Sequence, residues 1–215
     1  MSRVVRRLAL AGAILPSLRW SMRLQVDGLD HLSAPTGPVI FAANHQSHMD
    51  TPAIYTAMPA AVRNRVAPAM AREFFAEYFG MTPAPWYRRV VSGAAFYLAC
   101  QCFNAFPLPQ RQSPRAAFRY MRELVDEGYS ILIYPEGERV DGPIRPFRRG
   151  VGTVAIHLQL PVVPIRIDGL DYVFPRKARI PRRGPVRIAF GAPLLAGDDD
   201  AAVFTERIEA AVREL

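Results

Sequence analysis

Four short apolar runs, at residues 39–43, 131–134, 162–167 and 186–190, the last two each carrying one arginine (Arg166 and Arg187), punctuate this 215-residue chain, and each gives way to polar residues or a glycine. A strand with one wet face alternates apolar and polar residues, whereas a run that is apolar throughout belongs in a sheet covered on both sides. Helical patterns lie between the runs. Ser113 and Pro114 supply a cap and a first-turn proline, Phe118, Met121 and Leu124 recur on one face, and Gly128 stops the helix. Near the end, Val203, Phe204, Ile208, Ala211, Val212 and Leu215 form one stripe behind Asp198, Asp199 and Asp200. The expected fold is α/β, a single domain with a largely parallel central sheet flanked by helices. In such sheets ligands collect beyond the carboxyl ends of strands. The residues that follow positions 43 and 134 therefore matter most.

A chain of this length buries about two thirds of its unfolded surface without staples. No repeat, acidic tail or low-complexity tract argues for a solenoid or a disordered segment. Lys and Arg total 27 against 19 Asp and Glu, a net charge of +8, and Lys177 is the only lysine. Guanidinium matches phosphate oxygens in pairs, so this balance suits phosphate, nucleic acid or an anionic membrane face, with a merely solvated basic surface as the alternative. Nucleic-acid binding is disfavoured because the aromatics do not interleave with the basic residues as in a stacking platform. Cys100 and Cys102 stand two apart, where a mutual disulfide would be strained, which suggests a reduced cytoplasmic compartment; their spacing does not suit a metal site.

No segment reaches the ~18 consecutive apolar residues of a membrane-spanning helix. Residues 8–15 are apolar and are flanked by Arg3, Arg6 and Arg7 on one side and by Pro16, Arg19, Trp20 and Arg23 on the other. Arginines, an apolar face and a boundary tryptophan suit an amphipathic helix lying among lipid headgroups. Residues 1–24 are expected to form it, with an ordinary N-terminal helix packed on its own domain as the alternative. Residues 25–215 then form the principal domain, placed peripherally at the cytoplasmic face of a membrane. The aromatics between residues 58 and 106 are expected to be mostly core, with an acyl slot or a membrane-facing patch open for some of them.

Asn44-His45-Gln46-Ser47-His48-Met49-Asp50 follows the first apolar run. An imidazole titrates near ~6.5 and suits proton removal from a hydroxyl at cytoplasmic pH. His45 is the candidate base, and Asp50, at the start of a helix that Pro52 can open, can orient its ring. His48 is the local rival. Tyr134-Pro135-Glu136-Gly137-Glu138-Arg139 follows the second run, where glycine lets backbone approach an anion and Arg139 offers a fork for phosphate. Phe147-Arg148-Arg149-Gly150 adds cations at an expected helix start, which favours an anion there.

These blocks, with Phe106-Pro107-Leu108-Pro109-Gln110-Arg111 and Val163-Pro164-Ile165, resemble in order and spacing the glycerolipid acyltransferases, the 1-acylglycerol-3-phosphate acyltransferase family. The resemblance implies acyl transfer from acyl-CoA or acyl carrier protein to a lysophospholipid hydroxyl, most directly 1-acylglycerol-3-phosphate, at a membrane surface. It implies His45 as general base, Asp50 as its partner, Arg111 binding the acceptor phosphate, and Glu136, Gly137 and Arg139 shaping the acceptor site. Pro164 falls in a structural or acyl-side block, and no cofactor or metal is implied. Tyr134 stands where Phe is usual and Glu138 where Thr is usual. A carboxylate there repels phosphate unless Arg139 or Arg149 compensates, which leaves other lysophospholipid acceptors open. A thioesterase using the same pair on water, and a non-catalytic basic membrane-binding module, are the remaining alternatives.

Overall fold

The computed structural model describes residues 16, 19, 21–33, 35–71, 78–108, 114–139, 142–175, 178 and 181–215. Its centre is a seven-stranded sheet of β1 (Met22–Asp27), β2 (Ile40–Ala43), β3 (Val66–Ala71), β4 (Phe106–Leu108), β5 (Ser130–Ile133), β6 (Val162–Asp168) and β7 (Gly184–Phe190). The spatial order is β1-β7-β6-β2-β5-β3-β4. All pairs are parallel except β6 with β7, so β7 and β1 run against the other five strands. The expected α/β architecture with a largely parallel sheet is the one observed.

Two apolar layers enclose the sheet, as the apolar runs require. Phe41, Ala43, Val163, Ile165 and Ile188 face α1 (Asp50–Ala57), from which Ala53, Ile54 and Tyr55 pack against them. Ile40, Ala42, Ile131 and Val162 face the other way, toward α4 (Pro114–Asp126), α5 (Gly150–Leu158) and α7 (Ala201–Glu214), which contribute Met121, Val154, Phe204 and Ile208. Every residue of β2 is buried, because it is hydrogen-bonded on both edges and covered on both faces. Each such Ile or Phe stabilises the fold by about 1.5–3 kcal/mol relative to exposure. Short helices α2 (Ala60–Arg63) and α6 (Leu170–Val173) and the long α3 (Trp86–Phe103) complete the described α-helices.

Two expectations change. Of the segment 1–24 expected to be an interfacial helix, the structure describes only residues 16, 19 and 21–24, and Met22, Arg23 and Leu24 belong to β1, which pairs in parallel with β7. The helical segment therefore cannot extend to residue 24; residues 16, 19 and 21 are helical, and the others before β1 lie outside the described residues. The aromatics of the middle region are not mostly core: Trp86, Tyr87 and Tyr97 are exposed. Tyr78, Phe79 and Phe96 form a small ring cluster, with Phe96 at 5.1 Å from Phe79 and 5.3 Å from Tyr78, and Phe74 and Phe75 lie outside the described residues.

Candidate functional site

β2 and β5 are neighbours and run in parallel, so their carboxyl ends release the two motif turns side by side. The turn after β2 is anchored first. Asn44 is buried and cross-links to the neighbouring strand, its Nδ2 donating to Ile167 O at 2.9 Å and its Oδ1 accepting from Ile167 N at 2.8 Å. This two-point clamp fixes where the next residue, His45, leaves the sheet.

Asp50 is the first residue of α1, but its carboxylate does not cap that helix. It turns back into the loop, accepting from the amides of Gln46 at 2.7 Å and Ser47 at 3.0 Å and meeting His45 Nδ1 at 2.6 Å. Burial pushes the Asp50 carboxyl above the ordinary aspartate range; its contact with His45, then the amides of Ser47 and Gln46, oppose that rise without reversing it. Asp50 is 1% exposed while the His45 side chain keeps 24% of its surface. Such a bond assigns the Nδ1–H tautomer, leaving Nε2 as the acceptor on the accessible part of the ring. His48 is exposed on the following turn. Ser47 is buried, its hydroxyl donating to Phe174 O and accepting from Met49 N, which is a loop-fixing role and not a nucleophile's.

The turn after β5 locks against the first. Glu136, 5% exposed, accepts from His45 N through Oε1 at 2.8 Å and from Arg145 N through Oε2 at 2.9 Å. Its carboxylate thus holds the backbone of the histidine and the returning 142–148 loop in one piece. Gly137 has φ 76°, and a Cβ there would sit 2.4 Å from Arg148 Cζ. Arg148 N donates to Pro135 O at 2.9 Å, so the Phe147-Arg148-Arg149-Gly150 block lies on the turn. Arg139 is half-buried at the end of the same turn.

In the sequence Tyr134 stands out only as a replacement for Phe. Its ring stacks on His45 with centroids 4.3 Å apart, and its hydroxyl lies 2.7 Å from Thr51 Oγ1. Burial, then the nearby Asp50 charge, holds its phenol well above the ordinary tyrosine range. Glu138 is met by Arg145, not by Arg139 or Arg149 as expected, with Nη1 to Oε1 at 2.8 Å and both side chains 59% exposed. The loop has to fold back before that partner can be identified, so sequence spacing carries no signal of it.

Arg111 lies outside the described residues. Pro164 is buried in mid-β6 beside Ala42, with its carbonyl accepting from Gly191 N, so its role is structural. A cavity of 340 Å³ lined by Val39, Phe41, Val62 and Val163 opens at the amino-terminal edge of the sheet, away from His45. Among the described residues, no three His, Cys, Asp or Glu side chains gather as a metal would need.

Fold and site together define an α/β protein with a histidine–carboxylate pair at a strand end and an arginine-bearing Pro-Glu-Gly turn beside it. Residues 23–168 match the family model described as Acyltransferase, well over half of the chain, and the chain belongs to that family. It is similar to the chloroplastic 1-acyl-sn-glycerol-3-phosphate acyltransferase BAT2 of Brassica napus, 28% identical over 184 residues covering 83% of this chain and 47% of the relative. It is also similar to the mouse 1-acyl-sn-glycerol-3-phosphate acyltransferase alpha, 27% identical over 177 residues covering 79% of this chain and 54% of the relative. The chain spans about half the length of the curated relatives it matches. The crystal structure of the 1-acyl-sn-glycerophosphate acyltransferase PlsC from Thermotoga maritima shares the fold, with a TM-score of 0.70 at 20% identity over 97% of this chain and 79% of that one.

Proposed function

We propose that this chain transfers a fatty acyl group from an acyl thioester, acyl-CoA or acyl carrier protein, to the free hydroxyl of a lysophospholipid, with 1-acylglycerol-3-phosphate as the preferred acceptor. The observation that carries the proposal is the His45 Nδ1 to Asp50 Oδ2 contact of 2.6 Å, made at the strand end beside the arginine-bearing turn. Family membership and the names of the relatives support the acyl-transfer reading. His45 Nε2 removes the acceptor proton as the oxygen attacks the thioester carbonyl. The carbon–oxygen bond forms, the carbon–sulfur bond breaks, and the departing thiolate takes the proton back from the imidazolium. Asp50 stabilises that imidazolium while it exists. A base so placed supplies about 10²- to 10⁴-fold in rate, and positioning of both substrates supplies more.

Arg111 and Arg139 are proposed to bind the acceptor phosphate, while Glu136 and Gly137 shape the turn that presents it. The Arg145 guanidinium sits against Glu138 and offsets part of its charge, which supports the reading of a phosphate headgroup at that turn. Reaction takes place at the cytoplasmic face of a membrane, to which the chain binds peripherally. No helix among the described residues is long and apolar enough to cross one.

An acceptor panel tests the reading. Purified protein with labelled acyl-CoA is expected to acylate lysophosphatidic acid faster than zwitterionic lysolipids or glycerol 3-phosphate. Free fatty acid as the main product would replace transfer with hydrolysis.

A further inference from the structure

Among the described residues, α3 carries more exposed large apolar side chains than any other element, and they play no part in the chemistry above. Trp86 is 77% exposed and Val91 67%, and Val90 and Tyr97 are also open. At about 100° per residue, Trp86, Val90 and Tyr97 fall along one line of the helix, and Tyr87 and Val91 along a second about 100° round, so the open apolar side chains span about 140° of it. Arg89 borders this stripe on one side and Arg88 on the other, and both are exposed. No aspartate or glutamate occurs anywhere in residues 78–106. An apolar band of aromatic and β-branched side chains, edged by arginines and free of carboxylates, complements a surface that is apolar within and anionic at its rim.

The fold sets the direction of this helix. The Tyr55 hydroxyl lies 2.7 Å from the carbonyls of both Val66 and Phe103, so the last residue of α3 is held at the amino-terminal end of β3. From there the helix runs back about 27 Å for its 18 residues. Because α3 connects β3 to β4, which pair in parallel, it is the crossover that returns the chain from the carboxyl edge of the sheet, so Trp86, at its start, lies toward the edge at which β2 and β5 release His45 and Glu136.

We infer that the Trp86–Val91 face of α3 is a docking surface for an anionic phospholipid bilayer, seating the candidate active site at the plane from which a lysolipid would enter. The inference deepens the acyltransferase reading, and its test needs no turnover, so the two fail separately.

Trp20→Phe leaves Trp86 as the one tryptophan. In that background, vesicles of phosphatidylcholine with phosphatidylglycerol are expected to shift Trp86 emission to the blue, and brominated acyl chains to quench it. Arg88→Gln with Arg89→Gln is expected to weaken vesicle binding about 30-fold, at about 5-fold per arginine near an anionic surface. Val91→Glu, a change at an exposed position, is expected to abolish the blue shift without lowering the melting temperature. Three results would overturn the inference. The first is co-sedimentation with vesicles while Trp86 stays as open to aqueous acrylamide as in buffer, which would place binding elsewhere. The second is protection of Trp86 without lipid at any protein concentration. The third is protection that grows with protein concentration alone, which would make the face a contact between copies of the chain.

Discussion

The Tyr134 ring lies against the His45 imidazole at 4.3 Å, with an interplanar angle of 24°, and its hydroxyl is tied to Thr51 on the first turn of α1. One side chain thus joins the end of β5, the histidine and the helix that carries Asp50. Stacking and tether are separable. Tyr134→Phe is expected to keep most activity and to lose about 0.5–1.5 kcal/mol of stability with the hydrogen bond. Tyr134→Ala is expected to lower kcat about 10-fold or more with KM little changed, because the imidazole loses its wall; this is a positioning role, of the kind where small misplacement costs up to about 10²-fold. Steady-state kinetics beside urea unfolding of both variants distinguishes them.

Glu136 serves two backbone amides at once, those of His45 and Arg145. Glu136→Gln turns an amide N–H₂ toward one of those N–H groups, leaving a buried donor unsatisfied. We expect a loss of about 1–3 kcal/mol, together with a fall in kcat as His45 shifts. Unfolding midpoints unchanged from wild type would remove Glu136 from the frame of the site.

Gly137 adopts φ 76°, and its missing side chain leaves room for Arg148. Gly137→Ala is expected to destabilise by about 1–2 kcal/mol for the left-handed backbone alone. Arg148 can swing away from the new methyl, so Gly137→Ala combined with Arg148→Ala should recover little of that loss. Full recovery in the double variant would assign the cost to the steric contact instead.

Asp50 supplies the pH dependence. Its folded-state proton affinity is raised by burial above that of an unfolded aspartate. Its contribution to stability is therefore fully present below the unfolded value of about 3.9 and is lost as pH rises through the higher folded value. Asp50→Asn has no such proton, so its stability relative to wild type should improve as pH rises from strongly acidic toward neutral. Thermal melts of both proteins across that range check the sign, and a relative stability that worsens with pH would show the carboxylate to be favoured by folding.

What could be read before folding was whatever local pattern encodes. β2 and β5 announce themselves as unbroken apolar runs, and β6 and β7 as apolar runs with a single arginine each, Arg166 and Arg187, even with Pro164 inside β6. β3 and β4 do not, because Pro68 and Pro107 interrupt them. β3 tolerates Pro68 because it pairs with β5 through Val66, Ala67 and Pro68 and then with β4 from Ala69 onward, so the proline falls where the partner changes. β1 mixes polar and apolar residues at an edge and reads as the end of a basic helix. In the site, the His45 and Asp50 spacing is local and was legible. The Tyr134 stack needs β2 and β5 to be neighbours. The Glu138–Arg145 pair needs the 142–148 loop to close on the Pro135 turn, and no spacing rule reports that.

The most direct measurement is single-turnover acyl transfer from acyl-CoA to 1-acylglycerol-3-phosphate by wild type, His45→Ala, Asp50→Asn and the double variant. We predict that His45→Ala and Asp50→Asn each slow the chemical step by about 10²-fold or more. The double variant should be no slower than His45→Ala, since base and orienting group act as one unit. A His45→Ala protein that turns over within about 3-fold of wild type would contradict the account, because a base worth at least about 10²-fold would then be absent from the reaction.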